Sequence, residues 1–171
     1  RDNEGARASL LELRNSLRGG DPFAVVLTAL DTDLAGDPRG ALELLEGLPT
    51  RSDIDAEQLD ELSWHRNAGR LCYLVGELER AESYLRRAVT EVPGDCWSWG
   101  TLAAVHLARI QSGDGSSETA AEARECAERA RACSPSIQAP HLVLAHLALG
   151  EYAQASMGPD SLRSTTAQSA R

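Results

Sequence analysis

The sequence predicts an all-α fold built from stacked helical hairpins. Three observations carry that prediction. A Gly-x4-Ala element recurs at Gly36 to Ala41, Gly76 to Ala81 and Gly150 to Ala155, each time between two apolar-periodic segments. Within those segments apolar residues return at three- and four-residue spacings, the period of a helix, and nowhere with the alternation of a strand. Pro93 and Pro135 each end such a segment. In this reading the glycine closes one helix in a left-handed conformation and the alanine lets the next helix approach closely.

The elements follow in order. A helix is expected from Ala6 to Arg18, closed by Gly19-Gly20. Asp21-Pro22 joins a cap to a first-turn proline and starts a helix to about Ala35. Asp37-Pro38 repeats the device for a short helix ending near Gly47. From Glu57 to Val75, the residues Leu59, Leu62, Ala68, Leu71, Cys72 and Val75 keep a helical period throughout. Leu78, Ala81, Leu85, Ala88, Val89 and Val92 mark the next helix, which Pro93-Gly94-Asp95 stops. Another runs from Trp97 to about Arg109, followed by a Gly/Ser-rich turn from Ser112 to Ser117. An Ala-rich helix from about Thr119 to Cys133 comes next, where Thr119 with Glu122 fits a capping box. Ile137 to Leu149 begins a further helix, and the polar tail from Met157 reads as disordered.

Composition narrows the function classes. With 171 residues and 42% hydrophobic content, the chain suits one domain with a real core. Its 26 acidic residues against 17 basic ones give a formal charge of -9, which argues against nucleic acid and anionic membranes as partners. Aromatics are only 4%, so stacking platforms for bases are scarce. No run of 18 or more apolar residues exists to span a bilayer. The polar, acidic start does not resemble a secretory signal, and the absence of an initiator methionine suggests a fragment or a processed product. The four cysteines do not read as a disulfide scaffold, and a reduced, cytoplasmic setting is the default expectation.

The residues resemble the tetratricopeptide repeat, whose pattern is W-x2-L-G-x2-Y, then A-x3-F, then P. Trp99, Leu102, Ala103 and His106 fill its first half. Ala123, Ala127, Ala130 and Pro135 fill the second half after an insertion around Gly113 to Ser117. The preceding unit offers Ala68, Gly69, Cys72, Gly76, Ala81, Leu85, Ala88 and Pro93, with His65 in place of the tryptophan. A later unit has Leu142, Val143, His146, Gly150 and Ala155, and the earliest has Ala29, Gly36, Ala41 and Leu45. The resemblance covers roughly residues 22 to 157 and implies a right-handed α-α superhelix. It divides the chain into an N-terminal helix or linker (1–20), a repeat domain of about 3.5 units (21–157) and a disordered tail (158–171).

Candidate chemistry is sparse. Cys126 and Cys133 lie about 10 Å apart along one helix, beyond a disulfide. His141 and His146 do not converge, and His65 and Cys72 sit two turns apart. His106 falls where the repeat packs a tyrosine, so no metal site and no cofactor are expected. No nucleophile elbow or phosphate-binding loop is present, and the chain is read as a non-enzyme.

The informative cluster lies on the first helix of the second unit, where Arg66, Asn67, Arg70 and Tyr73 form one polar stripe. The resemblance places first helices along a concave groove, where Trp97 and Thr101 of the next unit would join the stripe. Two arginines in an acidic protein would make a local positive spot for an acidic peptide or a free C-terminus. The competing reading is a solvated face whose arginines pair with Glu57, Glu61 or Glu77. Asn67 matches one element of the family's carboxylate clamp, but Val26, Leu30 and Thr101 stand where further polar or basic groups would be required. The leading expectation is a non-enzymatic interaction module or scaffold binding a peptide or partner protein. The alternatives are an intramolecular sensor or spacer within a larger signalling ATPase or transcriptional regulator, and homo-oligomeric self-assembly through the C-terminal half-repeat.

Overall fold

Three aspartates set helix starts, Asp21 and Asp37 as the sequence assigns and Asp95 in addition. Asp21 accepts a hydrogen bond from the Phe23 N–H at 2.8 Å, Asp37 from Gly40 at 2.8 Å and Asp95 from Trp97 at 3.2 Å. Each satisfies a backbone donor that the first helical turn leaves without a partner. Pro22 and Pro38 follow two of these caps, where their missing N–H costs nothing.

The computed structural model describes residues 3–17, 21–61, 63–135 and 150. Among these, the helices are α1 (Asn3–Ser16), α2 (Pro22–Leu34), α3 (Pro38–Glu46), α4 (Ala56–Glu61), α5 (Trp64–Val75), α6 (Leu78–Glu91), α7 (Cys96–Gln111) and α8 (Ser117–Cys133), with a 3-10 turn at Leu48–Thr50. No strand occurs among the described residues. Three hairpins, α2/α3, α5/α6 and α7/α8, stack in chain order through α3 against α5 and α6 against α7. The first helices α5 and α7 also touch. The architecture is the all-α helical-hairpin array that the repeated element predicts. The expected helix from Ile137 to Leu149, the third repeat element beyond Gly150 and the tail lie outside the described residues.

Hairpin closure follows the glycines. Gly36 and Gly76 have φ of +94° and +84°, a conformation that glycine adopts without the Cβ penalty. Small residues then let the paired helices meet: Ala41, Ala68, Ala81, Ala103, Ala123 and Ala127 are all fully buried. Leu45, Leu71, Leu85 and Leu102 fill the remaining space, and burying each such side chain contributes roughly 1.5–3 kcal/mol. Gly69 marks the tightest approach, for a Cβ there would lie 2.7 Å from Leu85 Cγ.

Four local expectations need correction. The segment from Glu57 to Val75 is two helices, because Ser63 adopts a left-handed conformation (φ 51°) between α4 and α5. The restart turns Trp64 inward, where its Nε1–H donates to the buried Leu45 carbonyl at 2.7 Å. Tyr84 meets the Trp64 ring edge-on at 5.1 Å, so α4 and the 3-10 turn form an insertion beside an aromatic contact. The capping box of α8 belongs to Ser116 and Thr119, which exchange hydrogen bonds of 3.1 and 3.2 Å; Glu122 is instead engaged by Arg86. Helix α1 spans Asn3–Ser16, beginning before the expected Ala6, while the expected end at Arg18 and closure by Gly19-Gly20 lie outside the described residues; Arg7 fastens α1 to Asp31 of α2 at 2.7 Å.

The fourth correction concerns the cysteines. Cys96, at the start of α7, and Cys133, at the end of α8, form a disulfide across a Cα–Cα distance of 5.7 Å. Two antiparallel helices bring their opposite ends together, so residues 37 apart in sequence become neighbours. Judging Cys133 against Cys126 on its own helix could not find that pair. A disulfide persists in oxidising surroundings, so the cysteines no longer argue for a reduced compartment. No helix among the described residues is long and apolar enough to cross a membrane.

Candidate functional site

Helix α5 buries Trp64, His65, Ala68, Leu71 and Cys72, which turns Arg66, Asn67 and Arg70 toward the opposite side. Helix α7 begins beside them. Its cap Asp95 holds the first turn through the Trp97 N–H and through Ser98 Oγ–H at 2.6 Å. That geometry leaves the Trp97 side chain outside the core, 64% exposed. Thr101 follows one turn later and donates its hydroxyl to the Trp97 carbonyl at 2.8 Å.

Arg66, Asn67, Arg70, Trp97 and Thr101 line one open cavity of about 290 Å³ between the two first helices. Tyr73 is not part of its lining and packs against the core instead. The arginines have carboxylate partners other than Glu57, Glu61 and Glu77. Arg70 Nη2 donates to Asp33 Oδ2 of α2 at 2.6 Å, and Arg66 Nη1 lies 3.9 Å from Asp95 Oδ1. Glu77, one of the expected partners, is engaged by Arg39 and Arg80. Two guanidinium groups therefore face two carboxylates, and the expected positive spot is largely compensated. What remains is an exposed indole flanked by one tightly held arginine and one loosely held arginine. Asp95 was legible only as part of the Pro93-Gly94-Asp95 stop, and its approach to Arg66 depends on how two hairpins stack. Asp33 was not legible at all.

A second polar cluster sits between α6, α7 and α8. His106 is 1% exposed, and neither ring nitrogen has a hydrogen-bond partner among the described residues. Glu82 and Glu122 flank it, with Glu122 Oε2 lying 3.7 Å from His106 Nε2. Arg86 donates to Glu82 at 2.8 Å and to Glu122 at 3.0 Å, while Arg109 donates to Glu82 at 2.6 Å. Burial pushes the His106 imidazolium pKa down, against the pull of the two carboxylates, and favours the neutral ring. Burial pulls the Glu82 carboxyl upward, but hydrogen bonds from Arg86 and Arg109 outweigh it and hold that group below its ordinary value. The thiols of Cys72 and Cys126 are pushed up to about 11 by burial, so both stay protonated and weakly nucleophilic at neutral pH.

Known structures share this architecture. The structure of MamA matches with a TM-score of 0.59 at 16% identity, over 88% of this chain and 79% of that one. A monomeric mutant of IFIT1 solved with m7Gppp-AAAA matches with a TM-score of 0.63 at 19% identity, over 85% of this chain. A second IFIT1 structure, solved with Gppp-AAAA, matches with a TM-score of 0.58 at 16% identity, over 87% of this chain. This chain spans 34% and 38% of the two IFIT1 chains. No family model and no curated protein matches the sequence. At these identities the likeness shows the fold, a tetratricopeptide-like helical-repeat array.

Proposed function

We propose that the chain is a non-enzymatic interaction module that holds a peptide, or a segment of a partner protein, across α5 and α7. The observation that supports this most directly is Trp97, a large aromatic side chain left exposed beside a cavity with polar groups on its rim. Binding energy at protein interfaces concentrates on such aromatic anchors, with tryptophan and arginine over-represented. In this reading Trp97 supplies the anchor, and Arg66, Asn67 and Thr101 orient the ligand. Arg70 serves chiefly as a tie between α5 and α2 through Asp33.

The compensated charges change what ligand is expected. An acidic side chain or free C-terminus entering the cavity must displace Asp95 from Arg66, a contact of 3.9 Å and therefore a weak one. Displacing Asp33 from Arg70 means breaking a 2.6 Å charge-assisted bond. A suitable peptide therefore carries an apolar residue for Trp97 and one carboxylate for Arg66. The oligonucleotides in the IFIT1 structures belong to that protein; the net charge of -9 here disfavours a polyanion.

A peptide-display screen of the full chain beside Arg66→Ala and Arg70→Ala tests the reading. Peptides joining an apolar residue to a carboxylate should be enriched, and Arg66→Ala should weaken them with the denaturation midpoint unchanged. Arg70→Ala should lower that midpoint. Absence of enrichment would move the weight to an array that packs against the rest of a longer chain or against another copy.

A further inference from the structure

We propose that Glu82, His106 and Glu122 form a binding site for a divalent transition-metal ion of the zinc type. One ligand atom from each of the three side chains lies within 4.8 Å of the other two. They come from three successive helices, α6, α7 and α8. Because the array holds those helices together, the arrangement does not depend on a flexible loop. Glutamates alone would not make a site, since exposed acidic clusters are common. The second observation is His106 itself, buried to 1% exposure with both ring nitrogens unpartnered among the described residues. A buried polar group left in that condition is unfavourable, and a metal at Nε2 would satisfy one of the two.

Ligand chemistry selects the ion. Imidazole with two carboxylates suits zinc and its neighbours, whereas calcium and magnesium prefer sites made of oxygen alone. Three protein ligands leave a fourth tetrahedral position for water. Of the three ligands, Glu122 lines an open cavity of about 330 Å³ together with Arg86, Cys126 and Arg129.

The two arginines fit an outer shell. Arg86 donates to Oε1 of both glutamates, and Arg109 to Oε2 of Glu82. The Glu122 oxygen nearest His106 Nε2 is Oε2, which neither guanidinium contacts in those hydrogen bonds. Carboxylates that bind metals are commonly held in place by such hydrogen bonds. A tetrahedral centre with bonds near 2.0–2.1 Å needs ligand atoms about 3.3 Å apart, so binding draws the glutamates inward. Glu122, whose side chain is 38% exposed, has the freedom to swing.

The test uses the full chain with its disulfide intact and metal removed by a chelator. Cobalt uptake is followed by visible absorption and zinc binding by calorimetry. One equivalent is expected, with the absorption of a nitrogen–oxygen site and no thiolate band. His106→Phe should fold, because the repeat packs an aromatic ring there, and should weaken binding at least about tenfold. Glu122→Gln, on a partly exposed side chain, should do the same and guards against a folding defect in the first variant. Absence of uptake by the unmodified chain, or uptake unchanged in either folded variant, overturns the proposal.

Discussion

Gly69→Val should destabilise the fold by about 3 kcal/mol or more, seen as a large fall in the urea midpoint. The cost is steric. A Cβ at residue 69 would lie 2.7 Å from Leu85 Cγ, 3.0 Å from Cδ2 and 3.2 Å from the Leu85 backbone nitrogen. The leucine side chain could rotate only into a packed core, for Leu85 is fully buried. The backbone nitrogen moves only if α6 moves, and α6 also carries Ala81, Ala88 and Val89 into the core. Valine adds two methyl groups beyond the clashing Cβ. Its helix propensity, slightly better than that of glycine, recovers only a few tenths of a kcal/mol. An unchanged midpoint would mean that α5 and α6 do not approach as described.

Breaking the Cys96–Cys133 disulfide should lower stability by about 2–4 kcal/mol. The bond closes a loop across a sequence separation of 37 residues, for which chain entropy alone gives about 4 kcal/mol as a ceiling. Denaturation with and without a reductant measures the loss, and a Cys96→Ser/Cys133→Ser variant should reproduce it and no longer respond to reductant. The groove should survive the change. Trp97 directly follows Cys96, yet its helical turn is held independently by the Asp95 cap and by Trp99 Nε1–H donating to the Pro93 carbonyl at 2.9 Å. Ligand affinity that fell in step with stability would show instead that the disulfide positions Trp97. Identical midpoints in both conditions would show that the two cysteines are not bonded.

What could be read from the residues alone divides along the range of the interactions. Short-range chemistry was legible. The positive φ of Gly36 and Gly76, the caps Asp21 and Asp37, and the stops before Pro93 each depend on residues within one turn. The break at Ser63 was not legible, because apolar spacing continues across it. It goes with a hydrogen bond from Trp64 to Leu45, 19 positions away, which no local pattern displays. The candidate site shows the same division. Arg66, Asn67 and Arg70 fall on one stripe by helical spacing, but the charge compensation requires Asp33 of another hairpin. Tyr73 illustrates the limit of spacing, since it follows the stripe by three residues and still packs against the core. His106 was legible as a packed ring, whereas its two carboxylate neighbours come from α6 and α8 and meet it only in the stack.

In the proposed function the cavity between α5 and α7 receives a ligand against Trp97. The most direct measurement is the affinity of the most enriched peptide for the unmodified chain and for Trp97→Ala, by calorimetry under identical conditions. Because Trp97 is 64% exposed, its removal should leave the urea midpoint unchanged. Affinity should fall by about thirtyfold or more, corresponding to about 2 kcal/mol for a lost aromatic anchor. Equal affinity for the two folded proteins would contradict the account and place the binding surface elsewhere on the array.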